Sequence, residues 1–376
     1  MKKSVLIVLS SLFFLSTQVR AQFTLDAELR PRAEYAHGQK ALSEIGQEPA
    51  FYTLQRTRLN TGYKSKWIDL YISLQDIRVW GNKPQLVLND GESTTLHQAY
   101  AVAKAAKWLD IKVGRQEIIL DDHRIFGNVG WAQQARSHDA IIFKIKPDSK
   151  TKIWMAGAYN QDKPQTRTNL YTVPKNYKTM QFLWMNRDFG KFKASALFLN
   201  NGLQVNKSDS LSFLGADTVT TRIGYAERGT YFSQTIGARV GYYGKKFKAI
   251  GAFYYQLGLN GTFTIDSSGT ASSGEFGISK TKLNAMLARL DLEYKVGSFI
   301  LSGGYEYTSG NNMVNTDGTD QAFNPFFGTN HKFNGLMDYF YVGNYYKNAG
   351  LNDIFLGVKY KKKKFWTGVT AHHFMT

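Results

Sequence analysis

Arg289-Leu290-Asp291-Leu292-Glu293-Tyr294-Lys295 is the stretch that decides the fold. Charged and apolar or aromatic residues alternate strictly along it, a period of two that fits a strand and no helix. A buried soluble strand does not set four charges in a row on one face. A wall with lipid on one side and an aqueous lumen on the other does. The same alternation opens the chain after residue 21, where Phe23, Leu25, Ala27 and Leu29 interleave with Thr24, Asp26, Glu28 and Arg30. It returns near the end, where Ile354, Leu356, Val358 and Tyr360 interleave with Asp353, Phe355, Gly357 and Lys359. Phe23, Leu25, Leu29, Leu290, Leu292, Ile354, Leu356 and Val358 are therefore expected on the outward face.

The connections carry a second signal. Short lysine-bearing turns recur at Lys64–Lys66, Lys104–Lys107, Pro147–Lys150, Phe189–Lys191, Gly244–Lys246, Val296–Ser298 and Lys361–Lys364. Between them lie long polar connections at His37–Pro49, Gly81–Thr94, Asp121–His138, Gln161–Asn176, Asn201–Gly229, Asn260–Ser279 and Ser309–Gly350. Short periplasmic turns alternating with long outside loops are the pattern of outer-membrane barrels. The fold class is thus all-β: a large antiparallel transmembrane barrel of about 16–18 strands when complete. The pattern yields fifteen strands, the first at Phe23–Ala36 and the last at Phe365–Phe374. Bacterial single-chain barrels close with an even number. The expectation is that residues 22–376 are one barrel truncated at its C-terminus, whose first strand lacks a full antiparallel partner.

Composition agrees with this reading. Aromatics make up 14% of the chain, with 22 Tyr and 25 Phe, beside 34 Gly and only 7 Pro. Many strands joined by Gly-containing turns need such a mixture. The mean hydropathy of −0.34 would suit a soluble protein, but a barrel averages its apolar face against a polar one. Trp67, Trp80, Trp108 and Trp366 fall at strand ends, where interface girdles sit.

The N-terminus has the three parts of a secretory signal: basic Lys2 and Lys3, an apolar run from Val5 to Leu15, and Val19-Arg20-Ala21 before a cleavage point. Residues 1–21 are read as that signal, and their apolar run is too short for a spanning helix. The chain has no Cys, which excludes disulfides, thiolate metal sites and lipid anchoring through Cys. The net charge of +18 becomes +15 once Lys2, Lys3 and Arg20 are removed with no acid. So large a surplus favours anionic partners. In an exported barrel these are lipopolysaccharide and acidic solutes rather than nucleic acid, with outer-membrane lipid around the wall and export or uptake proteins on the periplasmic side.

Several stretches carry a resemblance. Val113-Gly114-Arg115-Gln116-Glu117, Asp121-Asp122-His123-Arg124 and Trp131-Ala132-Gln133-Gln134-Ala135-Arg136-Ser137-His138-Asp139-Ala140 resemble the alginate-export family of outer-membrane barrels. Leu25 to Arg32 and Leu54-Gln55-Arg56-Thr57-Arg58-Leu59 fit that family's first two strands. The resemblance implies an eighteen-stranded porin whose arginine-rich lumen passes an acidic polysaccharide. It implies a channel more firmly than it implies alginate.

Candidate site residues follow. Arg30 and Arg32 share a face with Asp26 and Glu28, and Arg56 and Arg58 share a face on the next strand, so four guanidiniums can converge. Guanidinium stays charged and forks onto carboxylates, which suits a path for sugar acids. By the resemblance, selectivity residues sit at these four and at Arg115 and Arg124, with Arg136 in the same quoted stretch. The competing reading is a ladder in which each Arg pairs with a neighbouring acid. Alternation also poses a conflict: if Lys112 faces the lumen, Arg115 faces lipid, unless the strand bulges or Lys112 lies at the interface. A triad needs spatial rather than sequential adjacency, and no Gly-x-Ser-x-Gly elbow accompanies Ser137-His138-Asp139. With Asp121 to Arg124 these residues are read as a loop folded into the barrel mouth. No catalytic residue, cofactor or metal is expected. The expected function is passive passage of anionic solutes. The rivals are a general porin, a barrel enzyme, and a structural barrel whose lumen is filled by paired charges.

Overall fold

The structure is a computed structural model that describes residues 22–38, 40–86, 94–164, 166, 176–205, 229–265, 276–312, 318–340 and 349–376. Residues 1–21, read as a signal peptide, lie outside them. Fifteen long strands form one antiparallel meander in which each strand pairs with the strands before and after it. They are β1 (Gln22–Ala36), β2 (Ala50–Lys64), β3 (Ile68–Val79), β4 (Thr94–Ala106), β5 (Leu109–Gln116), β6 (His138–Ile145), β7 (Thr151–Tyr159), β8 (Thr179–Phe189), β9 (Phe192–Val205), β10 (Gly229–Tyr243), β11 (Phe247–Ile265), β12 (Phe276–Val296), β13 (Phe299–Thr308), β15 (Leu351–Lys362) and β16 (Phe365–Met375). The two-residue β14 (Thr319–Asp320) lies alongside β12 in parallel. Among the described residues no helix is long and apolar enough to cross a membrane. Strands do the crossing, because neighbouring ladders satisfy backbone groups that lipid cannot.

The outward register is the expected one. All eight residues named above are exposed, Leu29 at 68%. Their charged neighbours Arg289, Asp291 and Glu293 turn inward, with Arg289 bonded to Asp291 by a 2.6 Å contact. An odd number of strands makes β1 and β16 run in the same direction. Among the described residues β1 pairs only with β2 and β16 only with β15, so the sheet is open between them.

One expectation needs correction. The connection at Asn260–Ser279 is shorter than read, because β11 and β12 stay paired out to Ile265↔Phe276. Asp121–His138 is folded into the barrel as expected, and part of Ser309–Gly350 joins it there. Residues 117–137 and 318–338 fold into the barrel, and Ile118, Leu120, Ile125, Phe126 and Phe323 join one buried cluster with the inward faces of β6, β7, β8, β9, β11 and β12. The apolar core of the molecule therefore sits inside the lumen.

Candidate functional site

The site is the seat of residues 117–137. On one side the seat is polar. Arg30 and Arg56 stand opposite each other in the β1–β2 ladder. Arg30 donates through Nη1 to Gly130 O at 2.8 Å and through Nη2 to Ala132 O at 3.0 Å and Gln133 Oε1 at 2.7 Å. Arg32 donates through Nη1 to Trp131 O at 2.6 Å and through Nε to Glu34 at 2.7 Å. Arg56, buried to 5% exposure, reaches Glu28 Oε1 at 2.6 Å and the carbonyls of Ala132 and Gln133 at 3.3 Å each. A row of carbonyls with no partner of its own is thus capped by guanidiniums. That is how an irregular segment survives inside a barrel.

The expected convergence of Arg30, Arg32 and Arg56 is present, but what they meet is the chain's own backbone. Arg58 differs. Its Nε donates to Gln75 at 2.7 Å, and its Nη2 has no protein partner among the described residues. Asp26 accepts from Asn60 at 2.8 Å, nearer the short-turn end and away from the seat.

Across the lumen the seat is apolar. Phe126, fully buried, stacks against Phe182 with centroids 4.9 Å apart and Phe327 at 5.2 Å. Met180, Phe182, Trp184, Leu197 and Leu199 line this wall. Each buried ring or branched chain there contributes about 1.5–3 kcal/mol. The two inward segments also hold each other. Gly127 N donates to Phe327 O at 2.8 Å, Thr329 N to His123 O at 2.9 Å, and Arg136 Nη1 to Gly328 O at 3.0 Å. Arg124 ends in a buried ion pair with Glu306, which also accepts from Arg289 at 2.7 Å.

The stems of residues 117–137 are tied to β4 by one histidine. The β3–β4 register shifts between Ser73 and Leu74, so His97 is the extra residue of a bulge and turns inward. Its Nε2 donates to Glu117 at 2.8 Å, and its Nδ1 lies 3.1 Å from Ser137 Oγ, whose hydroxyl donates to His97 O at 2.6 Å. Burial alone would raise the Glu117 carboxyl, but hydrogen bonds from His97 and Asn128 hold it below the usual carboxylate range. Sequence reasoning missed His97, because an inserted residue in a polar strand end leaves no periodic trace. Ser137, His138 and Asp139 diverge: His138 Nδ1 lies 3.1 Å from Tyr177 OH, and Asp139 points outward.

Arg115 is a correction. β5 puts Lys112 and Gln116 inside, so Arg115 shares the outer face with exposed Val113. It is satisfied there by Asp139 at 2.8 Å and by Leu96 O at 3.0 Å. The conflict over Lys112 resolves without a bulge at that point, since an outward guanidinium paired to its cross-strand acid loses much of its cost. Lys112 lies inward with its Nζ 3.7 Å from the Tyr100 ring centroid.

Strain marks the seat as well. Among the described residues, seven of the nine non-glycine positions with positive φ fall in the two inward segments, among them Val129 at φ 50°. A β-branched residue holds that conformation only where its surroundings fix it. Beside the seat, toward the short turns, a cavity of about 470 Å³ remains, lined by Tyr71, Gln98, Tyr100, Lys112, Lys144 and Trp154 among others. The Lys144 Nζ lies 4.3 Å from the Trp154 ring centroid. Neither lysine forms an ion pair among the described residues, and Glu117 is the one carboxylate on the lining.

A many-stranded barrel with an apolar outer face and chain folded into its lumen has the fold of outer-membrane porins. One solved structure shares that fold. The chain is similar in fold to OccK8 (OprE) of Pseudomonas aeruginosa, with 8% identity over 91% of this chain and 79% of that one, at a TM-score of 0.52. It also aligns with OmpF of Salmonella typhi in complex with daunomycin (10% identity, 94% and 90% covered, TM-score 0.47). A further alignment is with outer-membrane expressed OmpT of Vibrio cholerae (12%, 94% and 87%, 0.46). No family model and no curated protein matches the chain. The resemblance to alginate-export barrels therefore rests on the residues quoted for it.

Proposed function

We propose that this chain is a passive outer-membrane channel, constricted by residues 117–137, that prefers anionic solutes. The observation that carries the reading is the cavity beside the constriction, where Lys112 and Lys144 face the lumen and form no ion pair among the described residues, while the one carboxylate on its lining, Glu117, is bonded to His97 and Asn128. Arg58, with one guanidinium nitrogen unpartnered, lies on the same side. Arg30, Arg32 and Arg56 act on selectivity indirectly, by setting the position of the constriction. Fixed positive charge in a narrow protein-walled path acts over roughly 8 Å at physiological salt, so it biases every ion that passes. The volume is within the range of small-molecule sites, and aromatic walls beside ammonium groups suit an acidic saccharide, as the alginate-export resemblance implies.

Reversal potentials under a salt gradient, read on the refolded full chain in planar bilayers, test this. Wild type is expected to favour anions, less so as salt rises, and a Lys112→Gln, Lys144→Gln double variant is expected to lose most of that preference. Cation selectivity in wild type, or an unchanged preference in the double variant, would make a general porin the better account.

A further inference from the structure

Antiparallel pairing brings the seven short turns to one rim of the barrel. Five of them carry a lysine followed by an aromatic at the same place: Lys66-Trp67, Lys107-Trp108, Lys191-Phe192, Lys246-Phe247 and Lys364-Phe365. In each, the lysine closes the turn and the aromatic stands at or beside the first residue of the next strand. All five aromatics are exposed. Chance strand-forming residues would not repeat at one register on five separate turns.

Some lysines of this rim are paired: Lys104 with Asp69 at 2.7 Å, Lys146 with Asp110 at 2.6 Å, Lys193 with Asp188 at 2.9 Å and Lys248 with Glu293 at 2.7 Å. The five that precede the outward aromatics form no ion pair among the described residues. One of them, Lys66, lies along its own aromatic, with Nζ 4.7 Å from the Trp67 ring centroid. The rim therefore presents a ring of outward aromatics, two Trp and three Phe, each flanked by an ammonium that forms no ion pair among the described residues.

We propose that this rim is a binding surface for anionic glycerophospholipid headgroups in the leaflet on the short-turn side. The aromatic sets the depth, where its ring meets both acyl chains and headgroups. The adjacent lysine then lies level with the phosphates, where a negatively charged surface attracts it. Five such pairs around one rim give a collar of preferred lipid contacts rather than one deep site. The proposal depends on the transmembrane reading of the fold but not on what passes through the lumen.

Tryptophan quenching tests it, since Trp67, Trp108 and Trp366 lie on this rim. The full chain would be reconstituted in bilayers mixing phosphatidylcholine with phosphatidylglycerol, with bromine on one lipid at a time. Brominated phosphatidylglycerol is expected to compete several-fold better for the rim at low salt, and the advantage is expected to shrink toward one at high salt. A variant with Lys66, Lys107, Lys191, Lys246 and Lys364 all changed to Gln is expected to show no preference. Should it fold poorly, Lys246→Gln alone must still lower the preference measurably. Equal quenching by both lipids in wild type overturns the proposal, as does an undiminished preference in the lysine variants. A preference for lipopolysaccharide over phosphatidylglycerol at this rim also overturns it, because the surface would then belong to the other leaflet.

Discussion

The two walls that grip residues 117–137 do so by different physics. The β1–β2 wall offers arginines, and it holds carbonyls 130–133 by directional, charge-assisted bonds. The β8–β9 wall offers Met180, Phe182, Trp184, Leu197 and Leu199, and it holds Phe126 and its neighbours by area and fit. A lumen of uniform polarity would need one mechanism only. In this barrel the contacts are split, apolar packing on one wall and charge-assisted bonds to backbone carbonyls on the other. The charges of Arg30, Arg32 and Arg56 are directed at the protein itself, so under the proposed function they act on selectivity only through position.

That division can be broken from either side. Phe126→Ala removes a fully buried ring and is expected to cost about 3–5 kcal/mol. Thermal unfolding in detergent would read the loss, and single-channel traces should become larger and noisier as the segment loosens. If conductance and stability stay at wild-type values, the apolar wall does not hold the segment. Arg56→Ser is a smaller cut. It removes bonds from a charged donor worth about 1.5–3 kcal/mol and leaves Glu28 with its 4.0 Å contact to Arg30. Conductance should shift, and the unfolding temperature should fall by less than in Phe126→Ala, since Phe126 stays seated. An effect on stability as large as that of Phe126→Ala would show that the walls share the load equally. Arg115→Ala sharpens the contrast from outside the lumen. Its pair with Asp139 is half-exposed, so the expected cost is about 0–1 kcal/mol, with conductance and reversal potential unchanged. A change in ion preference would mean that its charge reaches the path after all.

How far the sequence showed this can be argued from particular strands. Where one face is charged and the other apolar, as from Arg289 to Lys295, period two fixed both strand and direction, and the structure keeps them. Around Met180 to Met185 both faces are apolar. Such a run says strand but not which side is lipid, so the apolar lumen wall was invisible until its partner, Phe126, was placed. Arg30 and Arg56 were legible as inward neighbours, because register follows from alternation. Their partners were not, since a backbone carbonyl has no identity in a sequence. Arg115 was misassigned for a related reason: alternation put it outward, and the quoted motif drew it inward. The cross-strand acid that lets it stay outward, Asp139, lies 24 positions away.

The inward segments also order events during assembly. Neighbouring strands pair across short turns, but the contacts inside span far more chain: 100 residues from Arg30 to Gly130, 182 from Arg124 to Glu306, 200 from Val129 to Thr329. Contacts so distant in sequence form slowly, because the intervening loop must first lose its freedom. Residues 117–137 can reach their final bonds only after β1, β2 and the strands from β8 to β13 stand in place. A newly inserted barrel should therefore pass through a stage with a complete wall and an unseated interior, wider and leakier than its mature form. Its permeability would fall with time after insertion.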